Sequence, residues 1–230
     1  MKIGFLGLDL TQGKVKYHDP RLVELEKKFL PQKISSFFVE FTDQRLEAVD
    51  VIVCAKSKIL DVFIPDMETF ERRLKVCEDA GEKALLTRCI QALEQEKPLC
   101  DLEFSEGDLG ILKRFQLLTT RPTLIEDKDP DDLEGFLRKV FLKAEAIFFY
   151  TGGKREVRAW LIKKGSTAVE AAAKIHTDLA RGFIKADVVN FNDFASVYNM
   201  QEARTKGLVK VVDRDYIVED GDIIEIKFNV

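Results

Sequence analysis

The sequence predicts two parts: an α/β part, followed by a small α+β part in which one helix crosses a mixed sheet. In the first part, short apolar runs alternate with segments of helical period as far as Phe141. In the last third, the period changes cleanly from that of a strand to that of a helix and back. With 46% hydrophobic residues, the 230-residue chain has enough apolar material for a packed core.

The last third carries the clearest pattern. Residues 156–162 alternate between two faces, as a strand does. Thr167 lies three residues before Glu170, a capping box that predicts a helix start. At the other end of this helix, His176 is interpreted as a structural residue that bonds free carbonyls. One helix between strands is typical of the β-grasp arrangement, which we expect for residues 146–230. The further predicted strands are residues 183–189, 208–212, 216–218 and 223–228, and the second and third of these are expected to form a hairpin.

The same stretch contains the segments EVRAW, AAAKIHTDLARGFIKADVV and DYIVEDGDIIEIKFNV. These segments resemble the TGS domain that ends the YchF (Obg-like ATPase) family. The resemblance implies a β-grasp fold and a cytoplasmic protein that works near the ribosome. By itself it does not imply hydrolysis.

In that family, the first strand leads into a phosphate loop of the pattern G-x-x-x-x-G-K-[ST]. Here five residues separate Gly7 from Gly13, and Val15 follows Lys14 where the metal-binding hydroxyl is expected. Because the loop binds phosphates through a fixed cradle of N–H groups, an extra residue disrupts it, and Val cannot bind Mg²⁺. Residues 13–30 resemble instead the family segment after the first switch, so the loop, its helix and switch I are interpreted as deleted.

Two further family motifs are incomplete. Asp43 stands at the metal- and γ-phosphate-contacting position, but no glycine follows it. Glu126 and Asp127 stand where an Asn reads the base. Residues 1–145 are therefore interpreted as a degenerate P-loop G domain, with residues 66–118 as a short helical insert. We expect no enzymatic activity, no catalytic residue, no metal site and no cofactor.

Charge is unevenly distributed in the last third. The net charge is −4, which argues against nucleic-acid binding by the whole surface, yet eight basic residues face three acidic ones between residues 154 and 186. Arg158 and Trp160 alternate onto one face of the predicted strand, which would suit base stacking. The predicted RNA-binding residues are Lys154, Arg155, Arg158, Trp160, Lys163, Lys164, Lys174, Arg181 and Lys185.

The sequence favours a pseudo-GTPase that has lost hydrolysis and binds RNA or the ribosome through its TGS domain, with a protein partner also open. One alternative is a residual ATP/GTP-binding protein that uses Gly7, Gly13 and Lys14. A second alternative is a small-ligand sensor. No apolar run is long enough for a membrane span, and the four cysteines show no CxxC spacing, so we expect no membrane partner and a cytoplasmic location.

Overall fold

The chain forms two compact units, and the structure, a computed structural model, describes residues 1–229. Residues 1–15 and 39–144 make up the first unit. Residues 16–38 and the chain from residue 145 onward make up the second. The sequence pattern assigns residues 16–38 to the first domain, but the structure associates them with the second unit.

The first unit is built on a five-stranded sheet in the order β2-β4-β1-β5-β6. β1 lies parallel to β4 and β5, and β5 lies parallel to β6. Every residue of β5 is buried, because an apolar strand in the middle of a parallel sheet is covered on both faces. The apolar runs of residues 2–6, 36–41, 49–55 and 121–126 predict strands, and these strands are confirmed, with ends that differ by at most two residues. The bounds are β1 Lys2–Leu6, β2 Gly13–Lys16, β4 Phe38–Thr42, β5 Val51–Ala55 and β6 Thr123–Glu126.

Helices of the first unit follow β5 and β6, and the apolar stripes of those after β5 pack into one cluster that contains Phe63, Phe70, Leu86 and Leu93. Residues 66–118, expected to be a helical insert, contain helices, but the first of them begins at Ile59 rather than residue 66. The apolar pattern predicts a third helix as far as Leu118, but this helix ends at Leu112. Further along, the N–H groups of Leu118 and Thr119 donate to the buried carboxylate of Asp66 rather than to helix carbonyls. The bounds are α2 Ile59–Leu74, α3 Ala80–Glu94, α4 Glu106–Leu112 and α5 Leu133–Lys143.

The second unit is built on a six-stranded mixed sheet in the order β10-β9-β11-β7-β8-β3. β7 and β8 form an antiparallel hairpin, and β11 lies parallel to β7 and antiparallel to β9. The predicted hairpin at residues 208–218 is wrong. β10 pairs with β9 instead, and Ile217 makes only an isolated bridge to Thr167. The bounds are β3 Lys33–Ser35, β7 Ala146–Gly152, β8 Glu156–Lys163, β9 Phe183–Asn190, β10 Lys210–Val212 and β11 Asp222–Phe228.

The principal helix of the second unit, α6, begins at the predicted capping box of Thr167 and Glu170, both halves of which are present. Small residues let it lie close on the sheet: Ala168, Ala171 and Ala172 are fully buried beside Phe149 of β7. The sequence pattern predicts an apolar face that includes Ala172 and Ala173, but Ala173 is exposed. The bounds are α1 Pro20–Phe29, α6 Ala168–Ile175, α7 Thr177–Arg181, α8 Phe191–Ala195 and α9 Met200–Thr205.

Specific polar contacts anchor residues 16–38 within the second unit. The buried Tyr150 hydroxyl donates to the carboxylate of Asp19, which also caps α1 by accepting from the Arg21 N–H at 3.0 Å. The Arg21 guanidinium donates to Asp220 at 2.7 Å and lies over the Tyr150 ring. β3 adds to the sheet edge, where Ile34 pairs with Val157. These contacts explain why a segment distant in sequence belongs to this unit.

Candidate nucleic-acid interface

Four of the predicted basic residues lie at the two ends of the β7–β8 hairpin, so the predicted set does not form one cluster. Lys154 and Arg155 occupy the turn between the strands, and Lys163 and Lys164 lie at the far end of β8. At about 3.3 Å per residue, the eight residues of β8 separate these two pairs by roughly 25 Å. A ligand that contacts both pairs must therefore be extended.

Six of the predicted cations are exposed and make no ion pair within residues 1–229; one of them, Arg158, lies over the Trp160 ring and the other five have no such contact. These five are Lys154, Arg155, Lys163, Lys164 and Lys174. Lys174 lies in the last turn of α6, where a cation opposes the helix dipole favourably. Because no carboxylate within residues 1–229 pairs with these side chains, their charge is available to an anionic ligand.

Two other predicted cations have acidic partners. Arg181 lies 3.0 Å from Asp178, and Lys185 lies 3.7 Å from Asp213. All four side chains are about half exposed or more. Exposed ion pairs of this kind contribute about 0–1 kcal/mol to stability, so a phosphate can compete with the carboxylate for either cation.

Trp160 is not the exposed stacking platform that the sequence predicted. Its ring is partly buried against the core beside α6 and stacks on Phe149, with centroids 6.2 Å apart. The indole N–H donates to Thr151 Oγ1 at 3.0 Å, and the Arg158 guanidinium lies 3.9 Å from the ring centroid. The predicted shared face of Arg158 and Trp160 is confirmed, but α6 and Phe149 occupy the side of the sheet on which the aromatic lies. A nucleic acid would therefore meet charge here rather than an open ring.

Strand geometry also divides the predicted set between two faces. Residues at even and odd positions of a strand point to opposite sides, so Arg158 and Lys163 lie on opposite faces of β8. The sequence prediction missed Lys33, which lies on the neighbouring strand β3 and contacts Glu156 at 3.3 Å. The sequence does not indicate that Lys33 lies beside β8, because the two are far apart along the chain and only the pairing of β3 with β8 brings them together.

His176 has a structural role different from the predicted one. It ends α6 and begins α7, and its Nδ1 accepts the N–H of Asp178 at 3.2 Å. The prediction that His176 bonds the free carbonyls at the end of α6 is therefore wrong. The extended backbone of His176 instead turns the chain between the two helices, and its side chain caps the start of the second.

In the first unit, β1 passes through residues 7–12 directly into β2, so among the described residues no helix follows the glycines of the expected phosphate loop. Gly7 and Gly13 have φ of 71° and 115°, in the region that favours glycine, and Lys14 is exposed on β2. The carboxylate of Asp43 accepts from the side chain of Gln12, and Glu126 lies 3.0 Å from Lys139. The structure therefore confirms the direct passage of strand one into strand two.

No group of three or more His, Cys, Asp or Glu side chains within residues 1–229 is arranged to hold a metal ion. Burial raises the pKa of the Cys54 thiol to about 11, which agrees with a core residue rather than a nucleophile. Among the described helices, none is both long and apolar enough to cross a membrane.

Comparisons with known proteins agree with this architecture. The family YchF-GTPase_C, described as a protein of unknown function (DUF933), matches residues 146–229. The "Ribosome-binding ATPase YchF" of Bacillus subtilis (strain 168) is 30% identical over 248 residues, covering 79% of this chain and 68% of the relative. The chain belongs to the YchF family. A YchF protein of Escherichia coli O157:H7 with the same name is 24% identical over 330 residues, covering 98% of this chain and 91% of the relative.

Two more comparisons agree with membership of the YchF family. "Obg-like ATPase 1" of Danio rerio is 42% identical over 104 residues, which is 45% of this chain and 26% of that protein. The solved structure of the Schizosaccharomyces pombe YchF GTPase has the same fold, with a TM-score of 0.78 at 18% identity over 96% of this chain and 88% of that one. The Escherichia coli alignment is longer than the 230 residues of this chain, so it contains long gaps on this side. Such gaps agree with segments of the family that are missing here.

The prediction that this chain is not an enzyme is contradicted. Its relatives are named ATPases, and they place the chain in an NTPase family. The prediction depended on motif residues that depart from the family pattern, and such departures do not justify excluding the activity for which the family is named.

Proposed function

We propose that this chain is a cytoplasmic, ribosome-associated protein that contacts RNA through the second unit, and that this unit is a TGS domain which follows a degenerate G domain. The observation that carries the proposal is the set of six exposed cations on the β7–β8 hairpin and α6, which make no ion pair within residues 1–229. The name of the Bacillus subtilis relative, a ribosome-binding ATPase, supports the choice of partner.

The contacts are expected to be with phosphates. Trp160 is covered by Phe149 and Arg158, so the surface around it offers charge to a nucleic acid rather than a free indole ring. Phosphate contacts position a nucleic acid and carry no sequence information, and they release counterions on binding. Binding should therefore depend strongly on salt and weakly on RNA sequence. Arg181 and Lys185 contribute after exchanging a carboxylate partner for a phosphate.

Charge reversal tests the proposal. The variant with Lys163→Glu, Lys164→Glu and Lys174→Glu should co-sediment with ribosomes more weakly than the unchanged chain. When the logarithm of the association constant is plotted against the logarithm of the salt concentration, the negative slope should become shallower by about 0.7–0.9 for each phosphate that the variant no longer neutralises. The matched control reverses three exposed lysines of the first unit, Lys75, Lys83 and Lys97, and so carries the same net charge. Equal binding by both variants would contradict the proposal.

A second experiment distinguishes phosphate contacts from the stacking of a base on Trp160. Trp160→Phe keeps an aromatic ring against Phe149 but removes the indole N–H bond to Thr151. Ribosome co-sedimentation by this variant should equal that of the unchanged chain, since the ring faces the core. A loss of binding with an unchanged circular dichroism spectrum would show that the indole touches RNA.

A second candidate function is nucleotide binding by the first unit, favoured by the ATPase names of the relatives. Ligands of open α/β sheets bind beyond the carboxyl ends of parallel strands, which here include Gly7 after β1. Isothermal calorimetry with Mg·ATP and Mg·GTP measures it directly. Lys14→Ala should weaken binding, whereas Lys16→Ala, two residues along the same strand, should not. No detectable heat would reject this candidate and leave RNA binding untouched.

A further inference from the structure

A cleft of about 630 Å³ opens in the first unit between α4, the turn that follows it and the turn before β5. Its volume lies within the range of about 300–1,000 Å³ that is usual for small-molecule sites. The apolar part of its lining consists of Leu109, Leu112, Phe115 and Leu117. None of these residues belongs to the basic surface of the second unit or to the strand ends near Gly7.

The walls of this cleft are fixed by two buried or half-buried polar groups. The Arg121 guanidinium donates to three main-chain carbonyls, those of Glu47, Val49 (3.2 Å) and Leu117 (2.6 Å). Because one side chain bonds both sides of the opening, Arg121 holds the turn before β5 against the turn after α4. A cleft held this way is preformed, so ligand binding does not carry the free-energy cost of ordering it.

Asp66 fixes the same turn from the opposite side. This buried carboxylate accepts the N–H groups of Leu118 and Thr119 at 2.9 and 2.8 Å, and the Thr119 hydroxyl at 2.6 Å. These bonds use its acceptor oxygens within the protein, so Asp66 serves as a support and is not a ligand-binding group. Burial raises its pKa despite these bonds.

The charge at the rim indicates the kind of ligand. Lys113 is exposed and makes no ion pair within the described part of the chain. Glu47 also lines the cleft, but its carboxylate lies 3.4 Å from the Arg45 guanidinium, which offsets its charge. The cleft therefore offers an apolar wall, with Leu109 43% exposed, beside the Lys113 cation. We propose that it binds a small amphipathic carboxylate, with the apolar body on the leucine wall and the acid group at Lys113.

Fluorescent probes test both halves of the proposal on the full chain. 8-Anilinonaphthalene-1-sulfonate is an apolar anion, and N-phenyl-1-naphthylamine is its uncharged analogue. Lys113→Gln should raise the Kd of the anion about two- to fivefold, the usual size of an exposed charge interaction, and leave the neutral probe unchanged. Leu109→Trp fills the cleft and should weaken both probes by about tenfold or more. Decanoate, a simple amphipathic carboxylate, should displace the anionic probe.

The control is Lys75→Gln, an exposed lysine of the same unit outside the cleft, which should change neither probe. Unchanged binding of the anion by Lys113→Gln would overturn the proposal, as would failure of decanoate to compete. Circular dichroism shows whether Leu109→Trp folds. If it does not, the binding of the two probes to Lys113→Gln still tests the proposal, because this variant changes an exposed side chain and should fold.

Discussion

Two groups of charged residues in the second unit differ most in their surroundings: one is enclosed by partners, and the other is exposed to solvent without ion pairs within residues 1–229. Asp187 is buried and lies 2.5 Å from Lys227 and 3.2 Å from Arg204, and Asp19 is buried against Tyr150. The cations at the ends of the β7–β8 hairpin make no such ion pairs within residues 1–229. A charge that is bonded on all sides holds elements together, whereas an exposed charge contributes little to stability and remains available to a ligand. The composition of the sequence does not distinguish these groups, because only the fold assigns partners.

The first prediction concerns the enclosed region, where the largest effect is expected. Leu25 of α1 is fully buried, and its helix is anchored through Asp19 and Arg21. Leu25→Ala should lower the free energy of unfolding by about 2–5 kcal/mol, the cost of a core cavity. Thermal and urea denaturation measure it. Leu30→Ala is the control, because Leu30 is 80% exposed and its truncation should change stability by less than about 0.5 kcal/mol. Similar small losses for both variants would mean that α1 is not part of the folded core.

The second prediction removes an enclosed charge. Asp187→Asn should cost about 1–3 kcal/mol at pH 7, since it weakens charge-assisted bonds to two cations that keep access to water. Burial alone would raise the pKa of Asp187, but the bonds to Lys227 and Arg204 outweigh it, and the pKa is lowered.

Because the folded state depresses this pKa, the stabilisation is present above the ordinary aspartate value near 3.8 and is lost as the pH falls through the folded value. The difference in unfolding free energy between the unchanged chain and Asp187→Asn should therefore shrink below about pH 4. Denaturation at about pH 7 and about pH 3 checks this. A difference that is the same at both pH values would contradict the assigned role of the ion pairs.

Local pattern is enough to predict most elements, because helix caps and strand alternation are properties of neighbouring residues. The capping box at Thr167, the strand β8 and the direct passage of β1 into β2 are confirmed. Residues 216–218 have the β-branched and aromatic character of a hairpin strand. The Tyr216 hydroxyl instead donates to Asp222 at 3.0 Å, a contact that no local pattern encodes.

The candidate site is predictable in composition but not in exposure. The basic residues of 154–185 are evident from the sequence, yet the burial of Trp160 follows from the position of α6, and Lys33 joins β8 only through strand pairing. The membership of residues 16–38 in the second unit depends on contacts such as Tyr150 to Asp19, which join residues 131 positions apart. Such long-range pairs have no signature in a single sequence.

The last prediction removes the carboxylate partner of one exposed cation, Arg181, and its effects should be the smallest. Asp178 lies 3.0 Å from Arg181 on the short helix α7, with its side chain about half exposed. Asp178→Asn keeps the size of the side chain and frees Arg181. The free energy of unfolding should change by less than about 0.5 kcal/mol, and ribosome affinity should rise by less than about twofold. The control is Asp193→Asn, which removes the same charge from an exposed position that has no ion pair within residues 1–229. Co-sedimentation at low salt measures the difference between the two variants. A gain for Asp178→Asn alone would show that Arg181 belongs to the RNA surface, whereas equal gains would reflect net charge and would remove Arg181 from it.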